Sequence, residues 1–379
     1  MKSGAALADR GVQVDYLFEE DLVLPAAVAP LRRLLLPWLI ATRVWRIARG
    51  PCRPDVVEIH EPWAAPYAAL RRLALLRRLP PCVVMSHGLE ERFWLARRER
   101  LRRVGQRLPL KSRIAVPLTL ISQARVALRS ASQVLVLSTE DADFLATRRR
   151  IPPERIKRIN GGVDDEILSA ERSSPPAPRL LFVGSWIDRK GATELAGAWC
   201  RLRRSYPELT LTLAGTQPRD ADRVLSDFRP DCRDGITVVP SIDDRELLAL
   251  LTGHDVFVLP TWFEGMPLSM IEAAAAGLAC VVTSVCGNVD FFRRPDPQAD
   301  GAILILPHSV DALVEAVSAL ADDPDLRARL GANARKRAAG FTWGHTADQA
   351  LAAYRAALGD NSIGDGENGT SVSSRGAAI

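Results

Sequence analysis

Residues 257–280, FVLPTWFEGMPLSMIEAAAAGLAC, constrain the fold more than any other part of this chain. Residues 256–259 form an apolar, strand-like run, and an irregular turn follows through Pro260, Trp262, Gly265 and Pro267. A helix is expected over about 268–276, closed by Gly277. A strand that passes through a short loop into a helix N-terminus puts free backbone N–H groups and a positive dipole end at the sheet's carboxyl edge. Such an edge suits a phosphate. Glu264 lies in the loop and Glu272 eight residues later on the helix, so both can face one crevice. There a carboxylate can accept hydrogen bonds from paired ribose hydroxyls while first-turn N–H groups face a diphosphate. Spacing alone favours a plainer account, an amphipathic αβ unit with two solvated glutamates.

The neighbouring segments repeat the same alternation. Strands are expected at 180–183, 209–213, 236–239, 281–283 and 302–306, with helices at 192–204, 245–251, 310–320 and 324–339. Strands alternating with helices imply a parallel sheet covered on both faces. The first half is less regular, with strands at 12–18, 54–59, 82–85 and 134–137 and helices at 31–47 and 66–79. Ser138 is placed to cap the helix after the 134–137 strand. A polar, Pro-rich run at 171–179, ERSSPPAPR, reads as a linker between domains at 1–170 and 180–342. A last helix follows at 343–358, and the Gly/Ser/Asn-rich tail 359–379 reads as disordered.

Length and composition agree with two domains of middling size: 379 residues, 47% of them apolar. The net charge of +5 admits a nucleotide, an anionic lipid or a nucleic acid as partner and does not choose among them. Six cysteines are scattered without a CxxC spacing, several in apolar runs, so buried free thiols in a reducing cytosol are expected. The apolar run at 34–41 contains Pro37 and is too short to cross a bilayer.

The string Glu264-Gly265-Met266-Pro267, with Glu272 eight residues after Glu264 and an Ala-rich helix ending at Gly277, resembles the donor-site signature of family 4 retaining glycosyltransferases of the GT-B fold. Other segments match in the right order up to about residue 358. The resemblance implies two Rossmann-like parallel-sheet domains facing a crevice, with the last helix crossing back onto the first. It implies transfer of a sugar from a nucleotide diphosphate-sugar to a hydroxyl acceptor, an activity of the EC 2.4 class. Glu272 would hold the ribose, Glu264 the donor sugar, and the backbone of Gly265, Met266, Pro267, Leu268 and Ser269 the phosphates. The family also places cations on the diphosphate after the first strand of the second domain. In the loop that begins Gly184-Ser185, Lys190 matches one of them. Ser185 stands where an Arg is usual, and Arg189 is a substitute from another direction. Without the resemblance, the Asp188-Arg189-Lys190 turn reads as solvated. His87, in Ser86-His87-Gly88 at a strand end, matches a His that faces the donor sugar from the first domain. The role of His60, at another strand end, is left open between structure and acceptor contact. Residues 6–14, ALADRGVQV, match the end of the family's first helix and its second strand, so the first strand, its Gly-Gly loop and most of that helix are expected to be missing.

A metal-free site must neutralise a departing diphosphate with Lys, Arg and N–H dipoles. No His/Cys/carboxylate group has metal-ligand spacing, and the two DxD strings, at 141–143 and 220–222, are explained by helix starts and solvated faces. No metal or other cofactor is therefore expected. P-loop, GxGxxG and GxSxG patterns are absent.

The basic segment 92–113 interleaves arginines with Phe93, Trp94, Leu95, Leu101, Val104 and Leu108. A solvated helix face and attachment to an anionic membrane surface, together with the basic apolar segment 31–47, explain it equally well. Nucleic acid is the weaker partner, since no recognition module accompanies the charge. The chain is accordingly expected in the cytoplasm, peripheral to the inner face of the membrane, with a lipid-linked acceptor in envelope glycolipid or polysaccharide synthesis. The rival account is a catalytically inactive GT-B scaffold, motivated by Ser185 and the missing first strand.

Overall fold

The computed structural model describes residues 2–18, 21–22, 31–73, 76, 78–171, 178–292 and 301–359, and the backbone of Ser374–Ala378. The chain divides into two compact units, Met1–Asn160 with Trp343–Ile379, and Gly161–Thr342. Each is built on a six-stranded parallel sheet.

In the first unit the strands are β1 (Val12–Tyr16), β2 (Val56–His60), β3 (Cys82–Met85), β4 (Gln133–Val136) and β5 (Ile156–Arg158). In the second they are β6 (Arg179–Val183), β7 (Thr210–Ala214), β8 (Ile236–Val239), β9 (Val256–Leu259), β10 (Ala279–Thr283) and β11 (Ala302–Ile305). The last strand, β12 (Ser374–Ala378), returns to the first sheet. The orders are β1-β12-β2-β3-β4-β5 and β11-β10-β9-β6-β7-β8. In the second sheet the order reverses around β6 and β9, the kind of switch point where loops part and leave a cleft at the carboxyl edge.

The central strands are buried on both faces, as their unbroken apolar runs require. Every residue of β9 and β10 is buried, and Phe182, Leu211, Leu213 and Phe257 have no exposed surface. The helix Ala192–Ser205 buries Leu195 and Trp199, and the Trp199 indole N–H donates to the Cys232 carbonyl at 2.7 Å. In the first unit, Leu36, Ile40 and Val44 from the helix Arg32–Ile47 join Val57, Ile59, Tyr67 and Val84 in one core cluster.

Several expectations need correction. The tail is not disordered throughout: Ser374–Ala378 pairs in parallel with β1 and with β2, occupying the place between them. The remainder of the tail and most of the 171–179 linker lie outside the described residues. The boundary between units falls after Asn160 rather than at 170, because Val163 donates to Phe341 and the Arg335 guanidinium reaches the Leu168 carbonyl. The 66–79 helix covers only Ala65–Arg71. Cys200 and Cys232 are joined in a disulfide, with Cα atoms 5.2 Å apart, so not all six thiols are free. Cys82, Cys280 and Cys286 are buried and outside that disulfide, and Cys52 is exposed.

The helix Trp343–Leu358 belongs to the first unit. Ala347, Ala350 and Ala353 are its buried stripe, Thr346 donates to the Asn160 carbonyl, and the Tyr354 hydroxyl reaches Glu58 on β2 at 2.8 Å. Among the described residues no helix is long and apolar enough to cross a membrane.

Candidate functional site

In the second unit the carboxyl ends of β6 and β9 feed two loops that are fastened together. The Arg189 carbonyl accepts the Trp262 backbone N–H at 3.0 Å and the Thr261 hydroxyl at 2.8 Å. The Trp262 indole N–H donates to the Asp188 carbonyl at 2.7 Å. Gly191, at φ +80°, closes the first loop against the second: a Cβ there would lie 2.2 Å from the Pro260 carbonyl oxygen. Only glycine accepts both that backbone and that approach. Behind the second loop, Gly287 donates its N–H to the Gly265 carbonyl at 2.8 Å, and its own Cβ position is filled by Gly265 and Met266. Buried Asn288 holds the Thr283 carbonyl, and the Thr283 hydroxyl in turn holds that of Thr261.

This fastening brings together charges that lie about seventy residues apart in sequence. Glu264 is 8% exposed, and its Oε1 meets Lys190 Nζ at 2.7 Å and Arg189 Nη1 at 2.6 Å. Neither approach has hydrogen-bond alignment at Oε1, so these are charge contacts rather than directed bonds. Arg189 Nη1 also donates to the Phe263 carbonyl at 3.1 Å. The Lys190 stem passes 3.6 Å from the Cβ position of Gly184, which has φ +146°. Ser185 follows Gly184, half-buried, and its carbonyl accepts the Ile187 N–H.

Gly265, Met266 and Pro267 are buried, and the helix Leu268–Ala275 starts after Pro267 without a side-chain cap. Met270 donates its N–H to the Pro267 carbonyl at 3.2 Å, so the Leu268 and Ser269 N–H groups are the first-turn donors turned to a ligand or solvent. Leu268 is exposed, whereas Ser269 and Glu272 are half-buried on that helix. The expected residues Gly184, Ser185, Arg189, Lys190, Glu264 to Ser269 and Glu272 thus stand on two adjoining strand-to-helix connections of one unit. What spacing did not reveal is that Glu264 is the counter-ion of both cations.

His87 stands in the first unit, at the carboxyl end of β3, with Gly88 at φ +133° beside it. His60, whose role the sequence left open, ends β2 and meets His87 edge to face, ring centroids 4.7 Å apart. Burial, and then the neighbouring His87, hold the His60 imidazole down at about 4, and burial lowers His87 as well. Both rings are neutral at pH 7. The Glu58 carboxyl, raised by burial, accepts from Tyr354 and lies 3.9 Å from His60, too far for a hydrogen bond.

Glu61 was not singled out from the sequence. Both of its oxygens are buried without an aligned hydrogen-bond partner, although Ser86 and the Glu90 backbone lie close enough to favour the charge slightly. Burial dominates, and the neighbouring Glu90 and Asp141 add to it, pushing Glu61 up to about 8. The sequence signal was a charged residue directly after a buried strand, in His60-Glu61-Pro62.

Both DxD strings lie at helix starts, as expected, but Asp141 is buried rather than on a solvated face. Asp220 accepts the Arg223 N–H at a helix start. Asp141, fully buried, pairs with Arg92 at 2.5 Å. Among the described residues no group of three or more His, Cys, Asp or Glu could hold a metal ion.

Comparison with known proteins covers both units. Residues 164–337 match the family described as Glycosyl transferases group 1, and residues 4–167 match Glycosyltransferase Family 4. The chain is 29% identical over 238 residues to an MMP alpha-(1->4)-mannosyltransferase of Mycolicibacterium hassiacum, covering 62% of this chain and 56% of that protein. It is 31% identical over 248 residues to a D-inositol 3-phosphate glycosyltransferase of Stackebrandtia nassauensis, covering 60% and 55%. The chain thus spans little more than half the length of these relatives. Among solved structures, a sucrose-phosphate synthase from Thermosynechococcus elongatus superposes with a TM-score of 0.70 at 20% identity, over 93% of this chain and 91% of that one. Two parallel-sheet units, matched in order by both family descriptions, make this chain a member of the group 1 glycosyltransferases of the GT-B fold.

Proposed function

We propose that this chain transfers a sugar from a nucleotide diphosphate-sugar to an acceptor hydroxyl, with retention of anomeric configuration and without a metal. The observation that carries this reading is the meeting of Arg189 and Lys190 on Glu264, beside the uncapped start of the helix Leu268–Ala275. A donor diphosphate competes with Glu264 for the two cations. That exchange releases the carboxylate to accept hydrogen bonds from the donor sugar, while the 265–269 backbone and the helix dipole face the phosphates. Glu272 accepts from the ribose hydroxyls. Within the first unit, His87 is a neutral imidazole able to hydrogen-bond a sugar hydroxyl.

In the transfer step the bond from the anomeric carbon to the diphosphate oxygen breaks and a bond to the acceptor oxygen forms on the same face. The departing diphosphate takes the acceptor proton. Lys190, Arg189 and backbone N–H groups stabilise the charge that builds on it, which is where preorganised dipoles contribute most.

Titration calorimetry with a panel of nucleoside diphosphates and their sugar conjugates tests the assignment. Glu272→Ala is expected to weaken binding about tenfold, the scale of one or two charge-assisted hydrogen bonds. Unchanged affinity would refute the ribose role. Ser185, in place of the family's usual Arg, supports a second account in which the chain binds nucleotide without turning it over. Hydrolysis of the same sugar conjugates separates the two, because a binding-only protein shows affinity and no turnover.

A further inference from the structure

The basic segment 92–113 has no part in the donor site, and the structure sorts its residues in a way the sequence could not. Arg92 is consumed by Glu140 and Asp141, and Arg100 is buried. Trp94 and Leu108 turn inward and pack with Ile121, and Leu101 packs against them. They cannot also form the lipid-facing row that the sequence suggested.

What remains outside is more sharply organised. The helix Leu110–Val116 buries none of its residues and runs on through Pro117–Ile121, where burial resumes at Ile121, into the helix Ser122–Ser130. Leu110, Ile114 and Leu118, spaced by four, are 67%, 54% and 71% exposed. Spacing by four puts them in one row along a helix face, so this is an apolar stripe turned to solvent. In the same region a concavity of about 310 Å³ is lined by Arg98, Arg102, Arg107 and Arg113 over the apolar Leu101 and Leu108. Glu99 lies 4.0 Å from Arg102 and 3.2 Å from Arg103. Arg98, Arg107 and Arg113 form no ion pair among the described residues. Arg98 and Arg102 are a turn apart on one helix, a spacing at which like charges repel. The concavity therefore carries more positive charge than the chain neutralises.

We infer that this face docks the first unit on an anionic phospholipid surface, with headgroup phosphates in the arginine-lined concavity and Leu110, Ile114 and Leu118 entering the acyl boundary. Guanidinium forks match phosphate oxygens, and the stripe supplies apolar burial that a soluble anion could not use. Nucleic acid fits less well, because Trp94 is buried and no aromatic ring of the segment is exposed as a stacking platform. The other basic segment extends the same side: Gln123 reaches the Arg33 carbonyl at 3.4 Å, and Trp38 on that helix is 55% exposed. An indole there suits the headgroup level. The inference does not depend on sugar transfer.

Co-sedimentation with phosphatidylcholine vesicles, with and without phosphatidylglycerol, tests it. The full chain is expected to pellet only with the anionic vesicles. Replacing Arg98, Arg102, Arg107 and Arg113 with Gln should lower partitioning on the order of a hundredfold. Replacing Leu110, Ile114 and Leu118 with Ser should leave binding at low salt but release the protein at high salt, where electrostatics alone is screened. A charge-matched control, Arg201, Arg223, Arg245 and Arg329→Gln in the second unit, should bind like the unaltered chain. Circular dichroism melts accompany each variant. If the quartet fails to fold, the double variant Arg107→Gln, Arg113→Gln serves, with a loss of about tenfold expected. Equal binding to neutral vesicles would overturn the inference. So would a folded Arg variant that pellets like the unaltered chain, or a control that loses as much. Release from the vesicles by inorganic pyrophosphate or duplex DNA at charge equal to the lipid would also overturn it, by showing a general anion site.

Discussion

At the carboxyl edge of the second sheet, buried Glu264 meets two cations within 2.7 Å, while at the same edge of the first sheet both carboxylate oxygens of Glu61 are buried without an aligned partner. One edge keeps its charges by pairing them, and the other sheds charge. Glu61 keeps its proton to about 8, and His60, beside His87, stays neutral down to about 4. A paired carboxylate can be released when a ligand brings its own negative charge to the cations. A protonated carboxyl and two neutral imidazoles suit neutral hydroxyls, for which a fixed charge would add desolvation cost. The contrast matches the division of labour proposed above, a polyanion on the second unit and hydroxyls on the first.

The largest test breaks the paired edge mechanically. Gly191→Ala puts a methyl 2.2 Å from the Pro260 carbonyl at φ +80°, so the loops carrying Lys190 and Glu264 must separate. Urea unfolding should show a loss of about 3 kcal/mol or more, with nucleotide binding lost as well. A loss below about 1 kcal/mol would mean the loops are not held there.

The next test addresses the neutral edge through pH. Between 4.5 and about 8 the folded chain holds a proton at Glu61 that the unfolded chain has released. Its contribution to stability is therefore complete below 4.5 and is lost as pH rises through 8. His60 works in the opposite sense. The unfolded imidazole gains a proton at 6.5 that the folded one refuses until about 4, so its contribution is lost as pH falls through that window. Glu61→Gln keeps a neutral side chain of the same shape. From pH 5 to 9 its advantage over the unaltered chain should grow by roughly 4 kcal/mol, leaving the acid-side decline from His60 in place. Parallel pH profiles for the two proteins would remove the basis for a neutral edge.

The smallest effect is expected from Glu264→Gln. It leaves Lys190 and Arg189, 14% and 29% exposed, without their counter-ion. Partial solvation limits the loss to about 1–2 kcal/mol. Free nucleoside diphosphate should bind several-fold tighter, since it no longer competes with a carboxylate, while discrimination in favour of the sugar conjugate falls. Weaker binding of the diphosphate alone would place the phosphates elsewhere.

Much of this architecture was legible because buried parallel strands write themselves as unbroken apolar runs. β3, β8 and β9 fall where 82–85, 236–239 and 256–259 were expected, and the last helix also starts and stops as read. The Glu264 and Lys190 motifs were visible singly. Their union was not, because it is made by backbone bonds between Arg189 and the 261–262 peptides, which leave no periodic trace. The Cys200–Cys232 bond was hidden for a related reason: one partner sits on a helix and the other in a short 3-10 turn, 32 residues apart. Trp94 and Leu108 misled because an alternation of arginine and apolar residues does not say which face of a short helix has a neighbour. β12 could not be read at all, since Ser374-Arg375-Gly376-Ala377-Ala378 has none of the branched or aromatic residues that mark a strand.

The helix Trp343–Leu358, packed on strands made some two to three hundred residues earlier, has a consequence for biosynthesis. The second unit is one unbroken stretch of chain and can close as soon as it leaves the ribosome. The first must wait, with Glu58 lacking Tyr354 and the apolar bed of Ala347 and Ala350 uncovered, until that helix and then β12 emerge. A nascent chain stalled in the interval would thus carry one finished lobe and one open one, a state for chaperones to guard.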